Sequence, residues 1–287
     1  MTCSSTVRPL VCVAIAVAVA LTGGVAQGGL LGIDWNTGDL YQVSTTDASL
    51  SLVGNTGLTF PGSLEFRQSD GTLFAFDVLM GSSAATLYTI NPSTAAATAV
   101  GQLGIGDTFE GGLAIDPNGR AFGTNQGNNQ ACVLFTVNLS TGGATTIGMI
   151  GNGNHDINGL AWRSDGQLVG LDNLTNALLT IDPTTAATTT IATLTPTVGK
   201  VGGFAYDGLN YYYSTACASG SNSLYSVNIN TGASTLIGSF SPTIDGTDIG
   251  ISGLAATPGD EPIIPEPATL SLLALGGLLA LRRKRKR

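Results

Sequence analysis

The chain has one histidine, His155, which stands beside Asp156 in the polar stretch GNGNHDING. A carboxylate next to a histidine is the pair from which a general base is made, because it orients the ring and stabilises its charged form. Acyl-transfer chemistry would also need a nucleophile, and no Gly-x-Ser-x-Gly elbow occurs anywhere in the chain. One histidine and a few scattered cysteines are too few for a zinc site. The remaining polar candidates are carboxylates: Asp34, Asp77, Glu110, Asp156, Asp172 and Asp248. If they converge on one surface, their oxygens suit a hard divalent cation, Ca²⁺ above all, or the hydroxyls of a sugar. Asp at the end of a strand also satisfies turn amides with no ligand at all. The absence of an EF-type or Gly-Asp nonapeptide calcium loop favours that plainer use.

A repeat positions these residues. The segments LYQVSTTDASLSLVG (40–54), LYTINPSTAAATAVG (87–101), LFTVNLSTGGATTIG (134–148), LLTIDPTTAATTTIA (178–192) and LYSVNINTGASTLIG (224–238) start 47, 47, 44 and 46 residues apart. Alternating apolar and polar residues around an Asn/Asp/Pro/Thr/Gly turn read as paired strands. A second strand pair precedes four of them: SLEFRQSDGTLFAF (63–76), GLAIDPNGRAFGT (112–124), GLAWRSDGQLVGL (159–171) and GFAYDGLNYYYST (203–215). Two pairs make a four-strand unit, A to D, and units of roughly 45 residues predict the blades of a β-propeller. The first unit opens directly at strand B, LLGID (30–34), and its missing A strand reappears as ISGLAATP (251–258). The sequence thus predicts an all-β, five-bladed propeller over residues 27–258, with the last strand closing the first blade.

In such a ring the A strands line the axis, and the D-to-A and B-to-C connections share one rim. Asp34, Asp77, Asn125, Asp172 and Thr215 end the B strands. Asp107, Glu110, His155, Asp156, Lys200, Asp245 and Asp248 fall in D-to-A segments. All are therefore expected on one rim. Trp35 follows the first B strand and is placed to stack on a sugar, while Trp162, inside an A strand, is expected to pack between blades.

The two ends read as targeting segments. Arg8 is the only charge before the apolar run Leu10–Leu21, and Gly23-Gly24-Val25-Ala26 offers a cleavage site after Ala26, as in a secretory signal peptide. At the other end, the spacer 259–264 leads to Pro265-Glu266-Pro267, an apolar run over 268–281 and six basic residues from Arg282 to Arg287. A helix of 14 residues is ~21 Å long, shorter than a ~30 Å hydrocarbon core, so it enters a membrane without making a good permanent anchor. The basic end should stay cytoplasmic. Without both ends, four basic residues face 18 acidic ones, a net charge of −14. That surface repels nucleic acid and excludes it as a partner. Cys132 and Cys217 remain in an oxidising compartment, where an even pair permits one disulfide, although their repeat positions lie in non-adjacent units.

The tail PEPATLSLLALGGLLALRRKRKR resembles the PEP-CTERM sorting signal of Gram-negative bacteria, also labelled an ice-binding protein C-terminal domain. The resemblance covers residues 265–287. It implies that an exosortase-type sorting protease acts near Pro265, Glu266 and Pro267, with Arg282 and Arg283 opening the basic end. It further implies membrane attachment through the C-terminal helix before processing, then delivery to the cell surface or exopolysaccharide matrix. The hairpins also resemble those of secreted bacterial propellers, a likeness that carries fold and little function. Together these readings predict a non-enzymatic binding or scaffolding propeller whose partners are exopolysaccharide or envelope proteins. The alternative is a secreted hydrolase or lyase acting on polysaccharide or lactone through Glu110, Asp156 and Asp248. Carboxylates within ~5–10 Å of one another around a cleft would favour it, and carboxylates that only cap turns would not.

Overall fold

A computed structural model describes residues 29–78, 85–106, 111–125, 131–216, 222–240 and 249–258. The expected signal peptide, spacer, sorting triplet and C-terminal helix lie outside the described residues. Alternation of apolar and polar residues between Gly- and Asx-containing turns produces twenty strands in five four-stranded antiparallel sheets, and no helix among the described residues. Blade I holds β1 (Leu30–Asp34), β2 (Asp39–Val43) and β3 (Leu50–Asn55). Blade II is β4 (Pro61–Arg67), β5 (Thr72–Asp77), β6 (Thr86–Ile90) and β7 (Ala97–Gln102). Blade III is β8 (Leu113–Ile115), β9 (Ala121–Asn125), β10 (Val133–Val137) and β11 (Ala144–Met149). Blade IV is β12 (Ile157–Trp162), β13 (Leu168–Asp172), β14 (Ala177–Ile181) and β15 (Thr188–Thr193). Blade V is β16 (Val201–Tyr206), β17 (Tyr211–Thr215), β18 (Ser223–Val227) and β19 (Ser234–Ser239).

The ring closes as the repeat predicts. β20 (Ile251–Ala256) completes blade I in the order β20-β1-β2-β3 and pairs antiparallel with β1, Leu30 opposite Ala256 and Gly32 opposite Leu254. Just beyond it, the Thr257 N–H and hydroxyl both donate to the Gly29 carbonyl at 2.8 Å. The chain therefore enters and leaves the ring at one point.

The core is five apolar slabs between neighbouring blades. Leu31, Leu64 and Leu73 belong to one slab, Phe74, Leu113 and Phe135 to the next, and Tyr212, Leu224 and Ile251 to the slab that joins blade V to blade I. At the axis the innermost strands approach too closely for side chains. A Cβ on Gly112 would lie 2.6 Å from the Leu160 nitrogen, and one on Gly253 would lie 2.7 Å from the Leu64 nitrogen. The axial space inside this collar is about 10 Å³, no more than one water needs. Hydroxyls stitch the blades here, Thr124 Oγ1 donating to the Ile157 carbonyl and Ser214 Oγ to the Ile251 carbonyl, both at 2.7 Å.

The outer D strands are the sheet edges. Their pairing with the C strands shifts register at the same place in all five blades, between Leu40 and Tyr41 and at the equivalent residues. A bulge of this kind twists an edge away from further pairing. It is a repeated safeguard.

Candidate functional site

The rim residues meet where the repeat places them, at the ends of β1, β5, β9, β13 and β17, and each spends its side chain on a nearby amide. Asp34, 1% exposed, accepts from the Asn36 N–H at 2.7 Å. Asp77 Oδ1 accepts from Thr59 and Phe60 N–H at 3.1 and 2.8 Å. Asn125 Oδ1 accepts from Val133 N–H at 2.8 Å, and Thr215 Oγ1 from Ser223 N–H at 2.9 Å. Asp172 is fully buried and makes four such bonds. Its Oδ1 takes the Asp156 and Leu174 N–H groups at 3.0 and 3.1 Å, and its Oδ2 takes the Thr175 hydroxyl at 2.7 Å and His155 Nδ1 at 2.9 Å. This is the turn-capping use of strand-end carboxylates.

His155 therefore partners Asp172, seventeen residues on, and not its sequence neighbour Asp156. Facing a carboxylate oxygen, the ring donates from Nδ1. The far nitrogen, Nε2, lies against Gly151, 2.7 Å from where a Cβ would stand, with the Thr188 hydroxyl 3.0 Å from the same point. Asp156 is 3% exposed, and its Oδ2 accepts from Asn173 Nδ2 at 3.0 Å. Desolvation raises its carboxyl pKa, the Asn173 hydrogen bond opposes that, the Asp172 charge adds to it and the Lys200 charge partly offsets it. Burial likewise pushes Asp34 up. Among the described residues no three His, Cys, Asp or Glu side chains are grouped to hold a metal. Glu110 and Asp248, and with them Asp107 and Asp245, lie outside the described residues, as does Cys217, while Cys132 is buried with its thiol free.

Inside the rim, the axial mouth is a shallow depression of about 20 Å³ bordered by Trp35, Asn158, Lys200 and Ser252. Asn158 Nδ2 donates to the Val201 carbonyl at 3.1 Å and Ser252 Oγ to the Pro61 carbonyl at 2.5 Å. Sequence reasoning missed both residues. The signal was there: they share a repeat column with Gly62, Gly111 and Gly202, and a polar side chain in a glycine column projects into the mouth. Trp35 is half-buried and packs on Phe60, ring centroids 5.8 Å apart, which leaves part of the indole facing the rim. Trp162 packs edge-on against Phe122 at 5.5 Å, between blades as expected.

Two features away from the rim were also missed. Glu65, in β4, occupies a column filled in the other blades by Ala114, Ala161, Ala205 and Ala255. Its Oε1 accepts the Phe66 N–H at 2.9 Å, and desolvation pushes the carboxyl up to about 8. A roomier cavity, about 430 Å³, lies on the opposite face beside Gly29 and Thr257, bordered by Leu31, Gln42, Ser51 and Pro92. Blades II and III fill the matching place with a guanidinium over a ring, Arg67 on Phe74 and Arg120 on Phe122. Blade I has no A–B turn to supply one.

The architecture defines a five-bladed propeller with a capped acidic rim and a closed axis. Residues 53–249 match the family described as "Repeat of unknown function (DUF6923)", and the chain belongs to that family. Residues 264–286 match the PEP-CTERM protein-sorting motif, which implies an exported protein, attached at its C-terminus before processing by an exosortase. A chain in the crystal structure of a nidogen/laminin complex is 12% identical, covering 80% of this chain and 98% of that one with a TM-score of 0.50. A Bacteroides thetaiotaomicron protein of unknown function (18% identical, TM-score 0.49) and TolB from Acinetobacter baumannii (14%, 0.44) each cover 74% of this chain. The chain spans 55% and 53% of those two proteins. At such identities the nidogen/laminin likeness shows the fold alone. No curated protein matches the chain.

Proposed function

We propose that this propeller is a non-enzymatic binding or scaffolding module of the cell surface or exopolysaccharide matrix, and that it engages an extended polymer across the rim. The observation that carries this reading is how the rim carboxylates are used. Asp34, Asp77 and Asp172 hold loop amides, so they build a rigid platform and are not left free around a cleft. Among the described residues the mouth is about 20 Å³, smaller than a small-molecule site. A partner must lie over it, touching the Trp35 indole, Lys200 and the amides of Asn158 and Asn173. An aromatic face beside amide groups suits a sugar chain. In the nidogen/laminin complex a chain of similar fold occurs in a complex with another protein. Ca²⁺ belongs to this reading only as an addition that the acidic exported body, with its net charge of −14, would attract.

A glycan array and pull-down of purified envelope polysaccharide, with and without added Ca²⁺, test the proposal on the exported chain. Binding that weakens at least about tenfold in Trp35→Ala, the loss of roughly 1.4 kcal/mol of stacking, is the expected result. Retention of full affinity in Trp35→Ala and Asn158→Ala together moves the site off the rim. Turnover of a polysaccharide or lactone by the wild type, lost in Asp156→Asn, would establish the hydrolase reading instead.

A further inference from the structure

We infer that the face carrying the A–B turns is turned toward the membrane while the sorting tail is still attached, which leaves the rim pointing outward. The inference rests on the sorting motif and the place where the chain leaves the ring, and it stands whether or not the rim binds a polymer. β20 is the innermost strand of blade I and ends at Ala256 on the A–B face, where Thr257 is bonded to Gly29. The tail thus leaves close to the axis, on the side opposite Asp34, Asp172 and Trp35.

Distances decide the orientation. Pro258 and Ala268, where the apolar run begins, are ten residue steps apart. Fully extended these steps reach about 34 Å. To turn the rim toward the bilayer, the tail would first pass outward under three strands, about 14 Å at ~4.8 Å each, and then climb the blade edge, about 17 Å for a five-residue strand. That detour of about 31 Å uses nearly the whole tether before any of it reaches lipid. With the A–B face down, none of it is needed. Arg67, Arg120 and Arg163 lie at the A–B turns while Lys200 is at the rim, but each of the three arginines is paired with an aspartate, so the tether and not charge sets the orientation.

Blade IV offers a matched pair of exposed positions at the two ends of β13, Ser164 in the A–B turn and Leu174, 66% exposed, on the rim. The experiment uses residues 27–287, the chain after removal of the signal peptide with its tail unprocessed, and with Cys217 replaced by serine. It is reconstituted into phosphatidylethanolamine/phosphatidylglycerol vesicles and labelled at Ser164→Cys or Leu174→Cys. Cys132, 1% exposed, stays unlabelled. Quenching by a short-range acceptor on the lipid headgroups should be at least about twofold stronger at 164 than at 174, given the ~17 Å between strand ends. Equal quenching, or stronger quenching at 174, overturns the orientation. Failure of the chain to float with the vesicles overturns it too, because the inference requires anchorage through the tail.

Discussion

Glu65 is the residue whose chemistry departs furthest from its place in the repeat. Burial raises its carboxyl to about 8 from the ordinary 4.5, and no cation offsets the desolvation. Between those two values the folded chain binds more protons at this site than the unfolded chain. Stability from this group is therefore full below about pH 4.5 and falls as pH rises toward 8. A full shift would be worth ~1.4 kcal/mol per unit, but Glu65 keeps some solvent contact, so a loss of roughly 2 kcal/mol across the window is expected. Glu65→Gln should remove that slope and raise stability at pH 9, read as urea midpoints at pH 5, 7 and 9. Parallel pH profiles for wild type and variant would show that the carboxyl is not the cause. The rim, by contrast, was legible residue by residue, because strand ends follow from the repeat. That its carboxylates cap turn amides was legible too, as Asp34 does at Asn36, but not which amides when these belong to other turns: Asp77 reaches back to Thr59 and Phe60, and Asp172 to Asp156. Spacing within one strand cannot disclose a partner on another.

At the scale of elements, the blades were readable because each repeats a strand pattern of period two, punctuated by Asx turns such as Asn91 holding Ser93 and Asn138 holding Ser140. The contacts between blades were not readable, because they depend on how closely one blade's D strand approaches the next blade's C–D turn. The same glycine column shows how unequal these contacts are. A Cβ on Gly101 in β7 would run into the Thr141 carbonyl of the next blade, where backbone cannot yield. The equivalent Gly148 in β11 has 3.4 Å to the Thr185 carbonyl, ordinary contact. Gly101→Ala should therefore cost about 2–4 kcal/mol. Gly148→Ala should stay within about 1 kcal/mol, with the stiffer unfolded chain working in its favour. Urea unfolding of the two variants side by side checks this, and equal midpoints would mean the interfaces yield where the geometry says they cannot.

At the scale of the molecule, everything depends on β20. It supplies the only pairing for the inner edge of β1, and its Gly253 seats against Leu64 of blade II while Leu254 meets Gly203 of blade V. Removing residues from Ile251 onward leaves one blade without its axial strand and opens two inter-blade slabs at once. Such a chain should lose its cooperative unfolding transition and aggregate through the exposed edge. A chain ending at Pro258 keeps every one of these contacts, so its urea midpoint should match that of the untruncated protein within error. The sharper test uses the junction itself. Because Thr257 and Gly29 are hydrogen-bonded at 2.8 Å, a two-residue turn can join Pro258 to Gly29, and new ends can be opened in the exposed turn between Asp165 and Gly166. This permutant moves the cut from blade I to blade IV while preserving all five interfaces. It should fold with a midpoint near that of the native order, since closure needs only that some terminal strand complete the blade in which the chain begins. A permutant that fails to fold, beside a Pro258 truncation that folds, would show that blade I is specifically required as the place of closure.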